Sequence, residues 1–243
     1  MEIIICLQNH IIEFDKIKSF FQTDFITFRR QHPVNDEMSA DIAQEFNKDV
    51  SMLVDDAGDP GLRSLEVMAL ETIKTGWQGR SLAHHARAMS MYPKPYLQKL
   101  AALLKKAQMG VVSDPHTGPL HARVRELLEE NVLVCLGQDD ISDAYYPYGR
   151  NNMLEVAFLN SHLLWFTTRD DMEVLYDMVT KNAAKCIGVK DFEIEVGAPA
   201  NLVVLDQPNV LEALRFHERP THVISHGKLI DQVMMDKIYN DNF

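Results

Sequence analysis

Three cysteines in 243 residues, at positions 6, 135 and 186 with no CxxC pair, leave no material for a disulfide framework or a thiolate zinc site. A reducing, cytoplasmic setting fits that scarcity. Basic residues are also few: 24 Lys and Arg stand against 35 Asp and Glu, a net charge of -11. Such a surface repels phosphate backbones and anionic lipid, so neither nucleic acid nor a membrane is expected as a partner. No apolar run approaches the roughly 18 residues that a membrane helix needs. The opening MEIIICL is apolar but lacks the basic flank and small-residue cleavage site of a signal peptide. Internal repeats and low-complexity stretches are absent, and no GxGxxG follows any apolar run, which weakens a dinucleotide-binding reading.

What the chain does contain is 46% hydrophobic residues, enough for a substantial core. From about residue 48, short apolar runs of strand character alternate with longer segments of helical period. DVSMLV (49–54) reads as a strand, followed by a helix over about 62–75 on which Leu65, Met68, Ala69 and Ile73 recur at three- and four-residue steps. GRSLAHH comes next, then a helix over about 95–108 with Leu97, Leu100, Leu103 and Leu104 on one face. GVVSDP is a further strand, 120–130 a helix, and NVLVCLGQDD a strand, with helices after it over about 152–162 and 170–184. Beyond about residue 185, VGAPANLVVLD and THVISHGKLI read as short β-branched strands with glycine turns and no helix between the last pair. Residues 1–47 are the least legible: Ile3 to Leu7 suits a strand, Phe14 to Phe21 an amphipathic helix, and Phe25 to Asn35 shows no clear period.

Strand–helix alternation implies parallel strands with right-handed crossovers, either a barrel or an open doubly wound sheet. Both gather their chemistry at the carboxyl ends of the strands. Those ends are polar here: Asp55-Asp56, His84-His85, Asp114-Pro115-His116 and Asp139-Asp140. Bland roles compete at each. Aspartates favour turns and helix starts, and of two adjacent histidines on a strand only one faces a given side. Tyr145, Tyr146 and Tyr148 suit core packing better than a ring-binding pocket.

The stretch GQDDISDAYYPYGRNNMLEVAF resembles the last barrel strand and following loop of the cytosine deaminase branch of the metal-dependent amidohydrolases. That pattern is Gly-x-Asp-Asp, then Tyr-Pro-x-Gly and an Asn-Met pair, matched by Gly137, Asp139, Asp140, Tyr146, Pro147, Gly149, Asn152 and Met153. The likeness runs over roughly residues 45–230, with LAHHARAM similar to the sixth strand and VDDAGDP to the end of the fifth. It implies an α/β fold, part of a (β/α)8 barrel over 48–190, with a small β appendage over 191–243 after an N-terminal segment of 1–47. It also implies hydrolysis of an exocyclic C–N bond on a cytosine-like or triazine-like ring, a small heterocyclic substrate, by water activated on a divalent zinc or iron ion. On the same basis Asp139 is the metal ligand and proton acceptor, and His85 the catalytic histidine. Asp56 is the acid that shuttles a proton to the ring, and Asp140 the group that binds the substrate's amidine or amide edge.

The chain departs from the family at definite places. No His-x-His occurs anywhere, Leu53 stands where a third histidine ligand belongs, and the ring-protonating acid is Asp56 instead of a glutamate. If 49–54 is the fifth strand, 48 residues precede it, too few for four βα units of roughly 25 to 30 residues each. An unclosed barrel presents strand edges, so self-association is expected. Three functions follow: a hydrolase that binds metal through another set such as His84, His85, His116 and Asp139; an inactive relative that acts as a binding or assembly partner; and, least favoured, an open-sheet oxidoreductase or phosphate binder.

Overall fold

A computed structural model describes residues 25–29, 43–55, 58, 63–115, 120–139, 147–150, 152–190 and 192–230. A five-stranded sheet runs in the order β1 (Phe25–Arg29), β2 (Asp49–Val54), β3 (Ser81–His85), β4 (Gly110–Ser113), β5 (Val134–Leu136). Neighbours in space are neighbours in sequence, and the pairs from β1 to β4 are parallel, as strand–helix alternation requires. The register sets Val54 against His85 and Leu53 against His84. Three helices connect these strands: α1 (Ser64–Lys74), α2 (Lys94–Ala107) and α3 (Val124–Glu129). The fold is therefore α/β with a parallel sheet.

Two compact units form among the described residues, one containing β1 to β4 with α1 to α3. Its core comes from strand residues such as Met52, Val54, Ala83 and Val111, all at most 1% exposed, and from the helix faces that cover them. On α2 the buried positions are Leu97, Leu100, Ala101, Leu104 and Ala107, the three- and four-residue recurrence of a single apolar stripe. Pro93 and Pro95 start that helix, where the missing N–H has no intrahelical partner to lose. Gln108, left-handed at φ 50°, ends it.

The other unit holds α4 (Met153–Leu163), α5 (Arg169–Val179), α6 (Lys181–Cys186), α7 (Val210–Phe216) and an antiparallel sheet of β6 (Leu202–Val204), β7 (His222–Ser225) and β8 (Lys228–Leu229). Phe166, Leu175 and Met178 are fully buried in it. Asn152 caps α4 by accepting from Leu154 N at 3.0 Å, and its amide donates to His217 O at 2.8 Å. A capping box between Thr168 and Asp171 starts α5.

Three features differ from the sequence reading. Residues 25–29, which show no clear period, form the strand β1, paired along its whole length with β2. The helix expected over 170–184 is two, broken at Thr180, whose hydroxyl donates to Tyr176 O at 2.7 Å and whose backbone leaves helical space at ψ -97°. The helix Val210–Phe216 was not anticipated between β6 and β7, although the last pair, β7 and β8, is joined without one. Ile3 to Leu7 and Phe14 to Phe21 lie outside the described residues. Among the described residues, no helix is long and apolar enough to cross a membrane.

Candidate metal centre

The carboxyl ends of β2, β3 and β5 leave ordinary strand geometry at residues with side chains. Asp55 has φ 52°, His85 φ 67°, Ala86 φ 50° and Asp139 φ 66°. The left-handed region costs a non-glycine residue of the order of 1 kcal/mol or more, so the surrounding structure has to hold it. After His85 that support is visible: Ala86 N donates to Val54 O at 3.1 Å, tying the turn to the neighbouring strand before the short 3-10 helix Arg87–Met91 begins. After β2, Gly58 N donates to Asp55 O at 2.9 Å. Gly58 is itself at φ 72°, and a Cβ there would sit 2.5 Å from Leu120 Cδ1, so this turn needs glycine.

At these ends, ligand atoms of His85, Asp114 and Asp139 lie within 4.8 Å of one another. His85 and Asp114 are each 6% exposed, and Asp139 is half-buried. The donor set fits a divalent ion: an imidazole and two carboxylates give the three protein ligands of a catalytic site and leave positions open for water or substrate. No thiolate belongs to the cluster.

The expected site residues fare differently. His85 and Asp139 come together. Asp56 and Asp140 lie outside the described residues, as do His116, Tyr145 and Tyr146. His84 is buried as well, but its Nε2 shares a 2.7 Å hydrogen bond with Ser51 Oγ, and it is not in the cluster. Tyr148, expected in the core, is 76% exposed because it sits in a turn after Pro147. Asp114 is the residue whose place beside His85 and Asp139 the sequence reading did not give. The signal was present in its position at the end of GVVS, one strand along from His85, but only the register of adjacent strands turns such a position into proximity.

With this geometry, the comparisons with known proteins fix the family. The chain belongs to the amidohydrolase family, whose model matches residues 18–231. It is similar in structure to 5-methylcytosine deaminase from Klebsiella pneumoniae, liganded with 5-fluorocytosine: 31% identity, a TM-score of 0.79, covering 87% of this chain and 56% of that one. Among curated proteins it is 29% identical over 197 residues to N-isopropylammelide isopropyl amidohydrolase of Pseudomonas sp. (strain ADP), 80% of this chain and 49% of that protein. An adenosine deaminase from Xanthomonas campestris with bound zinc shares the fold, at 17% identity and a TM-score of 0.61, over 87% of this chain and 54% of that one. The chain thus spans about half the length of the relatives it matches.

Proposed function

We propose that the chain provides the metal-binding and acid–base residues of a hydrolase that removes an exocyclic amino group from a cyclic amidine or amide, a cytosine-like or triazine-like ring. The observation that carries this reading is the convergence of His85, Asp114 and Asp139 at strand ends of an amidohydrolase fold. Those three residues would hold the metal. When bound, a divalent ion supplies Lewis acidity and makes water a usable nucleophile near neutral pH.

The remaining roles belong to side chains. Asp139 accepts the proton of the attacking water. Water adds to the ring carbon that carries the amino group, Asp56 moves a proton to the ring nitrogen, the proton held by Asp139 passes to the amino group, and ammonia departs as the ring carbonyl forms and its hydroxyl proton returns to Asp56. Asp140 accepts hydrogen bonds from the N–H edge of the ring and fixes its orientation. His85, at the left-handed turn that ends β3, is the imidazole among the residues that would hold the metal. The test is ammonia release from cytosine, isocytosine and amino-triazines with the divalent ion supplied. Turnover that Asp139→Ala abolishes supports the reading, and absence of turnover on all three classes contradicts it.

A second reading is a catalytically inactive relative that binds a ring or a partner without hydrolysing it. It draws on Leu53 in place of a histidine and on the missing His-x-His. Binding of 5-fluorocytosine without ammonia release from any ring would favour it. Self-association belongs to both readings, because among the described residues β1 has one strand neighbour, β2.

A further inference from the structure

We propose that Cys135 and Cys186 are a redox pair, closed by an oxidant of the peroxide class into an intramolecular disulfide that staples β5 to the end of α6. The two cysteines are 51 positions apart in the chain. Both belong to the same compact unit, and their thiols lie within hydrogen-bonding reach of each other. Side chains that close meet the geometric condition for a bridge, which cysteines distant in space cannot satisfy without backbone movement. Neither thiol is claimed by the candidate metal centre, whose ligand atoms come from His85, Asp114 and Asp139.

The two thiols have unequal access. Cys135 lies in the middle of β5 and is fully buried, whereas Cys186 is the last residue of α6 and half-buried. Helix ends open more readily than helix interiors. Here the end is closed by Ile187 N donating to Ala183 O and Gly188 N to Lys185 O, each at 3.2 Å. The hydrogen bond with the Cys186 thiol, and burial, push the Cys135 thiol well above its ordinary range, so it stays protonated and unreactive alone. Peroxide therefore meets Cys186 first. Its thiolate attacks one peroxide oxygen and the O–O bond breaks. The released hydroxide takes up the proton that Cys186 gave up, and Cys186 is left as a sulfenic acid. The sulfur of Cys135 then attacks the sulfur of Cys186, the S–O bond breaks, and the Cys135 proton leaves with that oxygen as water. Two thiols and one peroxide become one disulfide and two waters. Because solvent reaches Cys186, a dithiol reductant can attack the bridge there and reopen it.

The test uses the whole chain, reduced, freed of reductant and then treated with a small excess of hydrogen peroxide. Digestion without reductant, followed by mass spectrometry, is expected to find the peptide carrying Cys135 linked to the peptide carrying Cys186. The free-thiol count falls from three to one, and the yield of the link does not depend on protein concentration. Closing a loop of this length is expected to raise the melting temperature by about 5 °C or more, and dithiothreitol reverses both changes. Cys186→Ser, a change at a half-buried helix end, is expected to leave Cys135 unmodified and to abolish the thermal shift. Unreacted thiols in the wild-type chain, or Cys186 oxidised to a sulfinic acid beside a free Cys135, overturn the proposal. So does a bridge to Cys6, or one between chains, as the main product. An unchanged melting temperature in a chain that carries the Cys135–Cys186 bridge overturns its role as a staple. No metal or substrate enters the test, so its outcome is separate from that of the hydrolase reading.

Discussion

The two ends of the parallel sheet are built for different purposes. At the amino ends of β2 and β3, Arg80 is clamped: Nε donates to Asp49 Oδ1 at 2.5 Å, Nη1 to Asn47 Oδ1 at 2.7 Å and Nη2 to Asn47 O at 3.0 Å. The guanidinium stacks 4.2 Å over the Trp77 ring, and Trp77 Nε1 donates to Lys48 O at 3.0 Å. Each guanidinium nitrogen and the indole N–H thus has a local acceptor. At the carboxyl ends, ligand atoms of His85, Asp114 and Asp139 lie within 4.8 Å of one another. Backbone geometry draws the same line. Left-handed residues at the amino ends are Asn47, Gln108 and Asn131, the first and last of a type that tolerates the conformation and Gln108 a helix C-cap. At the carboxyl ends they are Asp55, His85, Ala86 and Asp139, where side chains with chemistry are aimed at the expense of backbone comfort. The Arg80 clamp and the candidate metal cluster thus lie at opposite ends of the parallel strands, the carboxyl ends being where parallel sheets gather their chemistry.

Substitutions can break that comparison, beginning with the largest effect. Asp139→Ala is expected to weaken divalent-ion binding by about a hundredfold or more, read by titration, while the melting temperature of the metal-free protein falls little. If the metal-free protein unfolds instead, Asp139 belongs to the scaffold. Arg80→Ala should do the reverse, costing about 2 kcal/mol in chemical denaturation, with metal affinity unchanged. A loss of metal affinity in folded Arg80→Ala would show that the two ends are not independent. Ser51→Ala, which removes the buried hydrogen bond to His84, is expected to cost about 1 kcal/mol. Preserved metal binding in that variant would agree with His84 standing outside the centre. The smallest change sharpens the contrast: Ala86→Gly should stabilise the fold by about 0.5–1 kcal/mol by relieving φ 50°. Destabilisation there would mean that packing of the buried Ala86 methyl and the freedom of glycine in the unfolded chain outweigh the strain.

Much of this was legible in the residues. DVSMLV is β2 to the residue, and α1 and α2 fall within two residues of their expected limits, because long amphipathic stripes and abrupt glycine or proline stops define such elements. The pattern Gly137 to Met153 identified the family through particular spacings, which composition could not have done. Short or conflicting signals were lost. Phe25–Arg29 is bordered by residues without alternation, and its strand state comes from pairing with β2, a non-local cause. The break at Thr180, where the backbone leaves helical space, falls inside a run that remains helical in period. In the candidate site, His85 and Asp139 were found through the motif. Asp114 was noted only as a strand end, since its partners are 29 and 25 positions away along the chain and meet it only in the folded sheet.

The central claim, that the carboxyl ends of β3, β4 and β5 form a divalent-cation site, is tested most directly by anomalous diffraction from a crystal soaked in manganese chloride. The account predicts one strong peak about 2.0–2.3 Å from a ring nitrogen of His85 and from carboxylate oxygens of Asp114 and Asp139. A peak held by other residues, or none at saturating manganese, would contradict it.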